Sequence, residues 1–195
     1  MWNLPNILTV SRIIAIPVVI ILMCFDGAAF RWMACAIFTA AGITDFFDGY
    51  LARREKLVSA FGRFLDPIAD KLLVASVLLM LVAFDRVDWT SYLPALVILL
   101  REILVSGLRE FLAEIRVGLP VTKLAKYKTT IQMVALGFLI VGDAAPEWIP
   151  ARLIGEIGIW IAAIVTLVTG YDYLRAGLKH MAADAENTSS GNPAP

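Results

Sequence analysis

Six apolar stretches constrain the fold before anything else: Ile7–Phe25, Phe30–Phe47, Ile68–Phe84, Ser91–Leu108, Thr129–Gly142 and Leu153–Leu174. Each is judged against the roughly 20 helical residues that cross a bilayer. The fifth is short and needs extension on its Lys128 side. The apolar content is 59%, against about 45–50% in an ordinary soluble domain. The expected fold is therefore all-α, an integral membrane bundle of six transmembrane helices. The net charge is zero, so no bulk electrostatic argument favours nucleic acid or another polyanion as partner. No Lys or Arg precedes the first apolar run and no small-residue cleavage site follows it, so that run is expected to be retained as a span.

Lys and Arg in the short connections set the expected orientation. One side carries Arg53, Arg54, Lys56 and Arg63, then Arg109, Arg116, Lys123, Lys126 and Lys128, then Arg175 and Lys179. The opposite loops hold one cation each: Arg31, Arg86 and Arg152. This asymmetry places both termini and the basic loops in the cytoplasm. Trp89 and Trp148 stand where an interfacial aromatic belt would hold them, on the other side. No linker divides the chain. Residues 1–181 read as a single membrane domain, and 182–195, "AADAENTSSGNPAP", have the small, polar composition of a disordered tail. Cys24 and Cys35 read as packing residues rather than a disulfide, and His180 has no second His or Cys placed to make a metal site with it.

Against that apolar background the segment "TDFFDGYLARREKLVSAFGRFLDPIADKLL" is anomalous. In helical register Asp45 and Asp48 are spaced i,i+3, and Asp66 and Asp70 i,i+4, so each pair shares a face. Gly49 and Ala52 continue the first face, and Gly62 leads the second. Paired carboxylates beside surfaces stripped of side chains suit a hard divalent cation, Mg²⁺ or Mn²⁺, with room for the oxygens of a phosphate ligand. Asp66 followed by Pro67 also fits a helix N-cap and first-turn proline, a role compatible with ligation. Ion pairing of one aspartate pair with Arg53, Arg54 or Arg63 would leave the second pair unexplained. Ionisable residues at membrane depth are functional candidates.

The complete pattern is Asp45-x2-Asp48-Gly49-x2-Ala52-Arg53-x8-Gly62-x3-Asp66-x3-Asp70. It resembles, at every fixed position, the signature of the CDP-alcohol phosphatidyltransferase family. The resemblance implies a six-helix membrane fold, a cytosol-facing site and two divalent metals, Mg²⁺ or Mn²⁺. It implies Asp45, Asp48, Asp66 and Asp70 as metal ligands, with Asp70 also the general base. It places Gly49, Ala52, Arg53 and Gly62 at the cytidine nucleotide and its diphosphate. It also suggests a homodimer in the inner (cytoplasmic) membrane of a bacterium.

"NLPNILTVSRIIAIP", "REILVSGLREFLAE" and "KLAKYKTTIQM" are similar to the branch of that family that joins CDP-diacylglycerol to sn-glycerol 3-phosphate. On that reading Asn6 and Thr9 border the nucleotide–lipid site, and Arg12 either joins them or is a snorkelling anchor. A phosphorylated acceptor needs cations, for which Arg109, Lys126, Lys128 and Arg101 are the candidates. Glu102 shares a helical stripe with Arg109 and would orient the cationic pocket. One departure stands out: Ala125 precedes Lys126 where the family segment usually has glycine. Other acceptors within the family, such as inositol phosphate or serine, remain open. Prenyl diphosphate transferases also use Asp-rich helices but do not require the Gly49, Ala52-Arg53 and Gly62 placements. A cation transporter would favour Gly/Pro-broken spans in paired halves, and no such symmetry is seen.

Overall fold

The structure, a computed structural model, describes residues 4–55, 60–114 and 123–189. Six helices follow in order: α1 Leu4–Met23, α2 Ala28–Glu55, α3 Ala60–Ala83, α4 Tyr92–Glu114, α5 Lys123–Val141 and α6 Ala151–Ser189. No strand occurs among the described residues, in agreement with the all-α expectation. α5 gains its length on the Lys128 side, as the short fifth stretch required. Trp89–Ala113 and Ala151–Arg175 are long and apolar enough to cross a membrane, and Ile7–Met23 and Ala28–Thr44 are shorter apolar helices. α6 is helical through Ser189, past the boundary expected for the tail at residue 182. Residues 190–195, and the side chain of His180, lie outside the described part.

Large apolar side chains cover the outside of the bundle as well as its core. Leu79, Ile103 and Ile164 are among the most exposed, while Val19, Phe38, Leu73, Leu81 and Leu136 are sealed inside. An apolar outer surface spread over several helices suits lipid, where helical backbone groups satisfy one another. Trp89 and Trp148 are both strongly exposed.

Glycine spacing along α6 decides how closely its neighbours approach. A Cβ at Gly158 would stand 2.6 Å from the Cβ of Ala135, and one at Gly155 3.0 Å from the Ala135 carbonyl oxygen. These two glycines let α5 and α6 pack nearly backbone to backbone, the small-residue mode of helix association in membranes. Further along, Gly170 faces Arg101 and Gly177 faces Leu108. The same helix thus receives α5 at one end and α4 at the other.

At the end of the bundle where α1, α3 and α5 finish, all three lone loop cations act as staples. Arg86 is buried and donates from Nη2 to the Met23 carbonyl at 2.7 Å. Burial, with the Arg31 charge adding to it, pushes its guanidinium below the usual range. The turn that presents it closes α3 with Asp85 in the left-handed region (φ 51°) and the Arg86 amide donating to Leu81 O at 2.9 Å. Arg31 reaches Val141 O and Asp143. Arg152 reaches Asp88 Oδ1 at 2.6 Å and Glu156.

One local expectation fails. α3 begins at Ala60, so Asp66 and Pro67 lie in its interior and Asp66 is not an N-cap. Pro67 removes its own amide from the ladder and its ring crowds the carbonyl four residues back, while its fixed φ is compatible with helix. Lys71 Nζ also donates to the Pro67 carbonyl at 3.0 Å. A helix embedded among apolar neighbours tolerates that single loss.

Candidate active site

The aspartate motif occupies two consecutive helices. Positions 45, 48, 49 and 52 fall on one face of α2, and Gly62, Asp66 and Asp70 form a stripe at successive turns of α3. The two helices are in contact. The side chains of Asp45, Asp48, Ala52, Arg53, Asn6 and Lys126, together with Gly49, lie outside the described part of the structure.

The first turns of α3 face three neighbours. Toward α1, Thr9 Oγ1 donates to Asp66 Oδ1 at 2.5 Å. Thr9 is buried, and this bond joins the start of α1 to a motif carboxylate. Arg12, one turn further along α1, is only 1% exposed. It is therefore enclosed by protein, and the snorkelling alternative is ruled out. Toward α2 and α5, Asp70 lines an apolar groove of about 700 Å³. The groove passes Thr129 and Thr130, then Gly42 and Met133, and reaches Ile149 near the opposite end of the bundle. Toward α4, Pro67 and Lys71 line a polar cavity of about 280 Å³ together with Arg101, Glu102, Ser106 and Arg109.

Two of the four expected phosphate cations meet at one carboxylate. Glu102 Oε1 accepts from Lys128 Nζ and, at 3.4 Å, from Arg101 Nη1. Lys128 is buried and lies within electrostatic reach of Asp70. Arg109 lines the cavity from an exposed position. Lys71 is the cation that sequence reasoning missed. Its signal was its spacing, since it follows Asp70 directly and shares a face with Pro67.

The donor set of the motif is wholly carboxylate, which fits Mg²⁺ or Mn²⁺ and disfavours softer metals. Asp66 and Asp70 stand one turn apart on α3, and residues 45 and 48 lie on one face of the helix packed against it. Among the described residues, which include only the Asp66 and Asp70 side chains of this set, no three His, Cys, Asp or Glu side chains gather.

The chain is similar to known proteins over most of its length. Residues 2–168 match the family described as CDP-alcohol phosphatidyltransferase. A protein of Rickettsia typhi is 52% identical over 176 residues, covering 90% of this chain and 97% of its own length. A Cereibacter sphaeroides protein is 40% identical, with 92% and 97% covered. A Pectobacterium atrosepticum protein is 42% identical, with 90% and 94% covered. All three are named CDP-diacylglycerol–glycerol-3-phosphate 3-phosphatidyltransferase. The motif spans α2 and α3, and the match and the relatives extend over nearly the whole helical body: the chain belongs to the CDP-alcohol phosphatidyltransferase family.

Proposed function

We propose that the protein transfers a phosphatidyl group from CDP-diacylglycerol to sn-glycerol 3-phosphate, giving phosphatidylglycerophosphate and CMP. The observation that carries this reading is the setting of Asp70. Asp70 borders an apolar groove, while Pro67 and Lys71 on the adjoining face of α3 border a polar cavity that holds Arg101 and Arg109 with Glu102 and Glu110. A lipid donor and a phosphorylated acceptor would therefore lie on adjoining faces of α3, the donor side bordered by Asp70 and the acceptor side by its neighbour Lys71.

Asp45, Asp48, Asp66 and Asp70 would hold two divalent cations, which when bound supply positive charge to the diphosphate and to the departing CMP. Thr9 fixes one Asp66 oxygen and so its orientation. An Asp70 oxygen takes the proton of the acceptor hydroxyl, whose oxygen forms the new bond to the lipid-bearing phosphorus as the bond to CMP breaks. Gly49, Ala52, Arg53, Gly62 and Asn6 border the nucleotide. Arg109, Arg101, Lys128 and Lys126 supply positive charge for the acceptor phosphate. The groove receives an acyl chain, and holding both substrates in place provides much of the acceleration.

The protein is multi-pass, crosses the bacterial cytoplasmic membrane with six helices, and keeps both termini and the site on the cytoplasmic side. The Lys and Arg asymmetry supports this orientation. The catalytic body is residues 1–181, followed by a tail. The family resemblance supports a homodimer. The test is an acceptor panel with purified protein and CDP-diacylglycerol, followed by mass spectrometry of the lipid product. Glycerol 3-phosphate gives phosphatidylglycerophosphate if the reading is right. Preferential use of inositol phosphate or serine would assign another acceptor.

A further inference from the structure

The proposed reaction makes no use of α6, yet that helix grips Arg101 of the cation cluster. The stem of Arg101 crosses α6 at Gly170, where an added Cβ would come within 3.1 Å of Arg101 Cγ. Arg101 Nη2 donates to Thr169 Oγ1 at 3.0 Å. Its guanidinium carbon lies 5.8 Å from the centroid of the Tyr173 ring, within cation–π range. The Thr169 hydroxyl is itself committed to the backbone, 2.9 Å from Val165 O and 3.1 Å from Thr166 O. Its oxygen is therefore left to accept, which matches a guanidinium that can only donate.

From Arg101 the chain of contacts runs back to the cavity. Nη1 reaches Glu102 Oε1, and the same oxygen holds Lys128 Nζ. Thr169 and Lys128 are both buried, so water does not replace either contact cheaply. One carboxylate shared by two cations leaves the pair with net positive charge, as a phosphate site needs.

We propose that α6 is a positioning element for the acceptor site. Thr169 and Gly170 seat Arg101, Arg101 fixes Glu102, and Glu102, which lines the cavity with Arg101, also holds Lys128, so that a helix outside the aspartate motif sets the affinity for the acceptor phosphate. This rests on the reading of glycerol 3-phosphate as acceptor. Thr169→Val keeps the shape and removes the acceptor oxygen, whereas Thr169→Ser keeps it.

The experiment is steady-state kinetics of the full-length protein in mixed micelles, varying each substrate in turn. Thr169→Val raises KM for glycerol 3-phosphate about tenfold, the scale of one hydrogen bond to a charged group. KM for CDP-diacylglycerol stays within about twofold, and Thr169→Ser restores the wild-type value. Gly170→Ala shifts the same constant in the same direction and carries the test if Thr169→Val does not fold. Equal KM values in variant and wild type overturn the proposal, as does a parallel rise of both KM values with loss of thermal stability. Wild-type protein that fails to use glycerol 3-phosphate at all overturns the acceptor reading and this inference with it. Wild-type activity with unmoved variants overturns the inference alone.

Discussion

Removing the charge of Glu102 probes the buried cluster most severely. Lys128 is only 3% exposed and is paired with Glu102, whose oxygen also faces Arg101. Glu102→Gln keeps the side-chain shape and leaves two like charges without their shared counter-charge. Breaking a buried pair by deleting one partner costs about 3–5 kcal/mol. The retained amide oxygen can still accept a hydrogen bond, which places the expected loss at the lower end, about 3 kcal/mol. At about 2–4 °C per kcal/mol for a chain of this size, Tm falls by about 6–12 °C. Lys128→Met added to Glu102→Gln removes the orphaned ammonium and recovers at least half of that loss, because a buried pair replaced by apolar groups is often near neutral. The assay is thermal unfolding of the wild type, both single variants and the double variant in one detergent. A Glu102→Gln protein that melts within about 2 °C of wild type, or two substitutions that add without coupling, would refute the pairing.

Other substitutions separate the parts of the site. Asp70→Asn abolishes transfer, while metal-dependent nucleotide binding, measured by calorimetry, partly survives; full turnover in that variant would remove Asp70 as the base. Gly42→Leu fills the groove beside Met133, which a Cβ at Gly42 would already approach at 2.6 Å. It raises KM for CDP-diacylglycerol about tenfold, the scale of about 1.4 kcal/mol of lost binding, and leaves KM for glycerol 3-phosphate unmoved. Arg152→Ala breaks a pair in which Arg152 is 36% and Asp88 58% exposed. Its cost is below about 1 kcal/mol after solvent screening, and activity in the same assay stays at the wild-type level.

How far the sequence led depended on the range of the interaction. Apolar length yielded the six helices, because each is set by its own residues, and the i,i+4 stripe of Gly62, Asp66 and Asp70 appears on α3 as spaced. Local propensity misplaced the start of α3, since an Asp–Pro pair looks like a helix entry when packing is ignored. Arg12 could not be assigned because an anchor and a buried arginine read alike until its neighbours are known. The seat of Arg101 on α6 was also invisible, as Thr169 lies 68 residues away and looks like any threonine in an apolar run. Glu102 drew notice through its stripe with Arg109, but its oxygen shared by Arg101 and Lys128 was not legible.

In the proposed reaction paired carboxylates catalyse attack on CDP-diacylglycerol, with CMP as the leaving group. It is tested most directly by quantifying both products from purified protein, metal-stripped and then resupplied with Mg²⁺ or Mn²⁺. CMP and phosphatidylglycerophosphate are expected one for one, only with glycerol 3-phosphate and a divalent cation present. Release of inorganic diphosphate instead of CMP, or undiminished turnover after chelation, would contradict it.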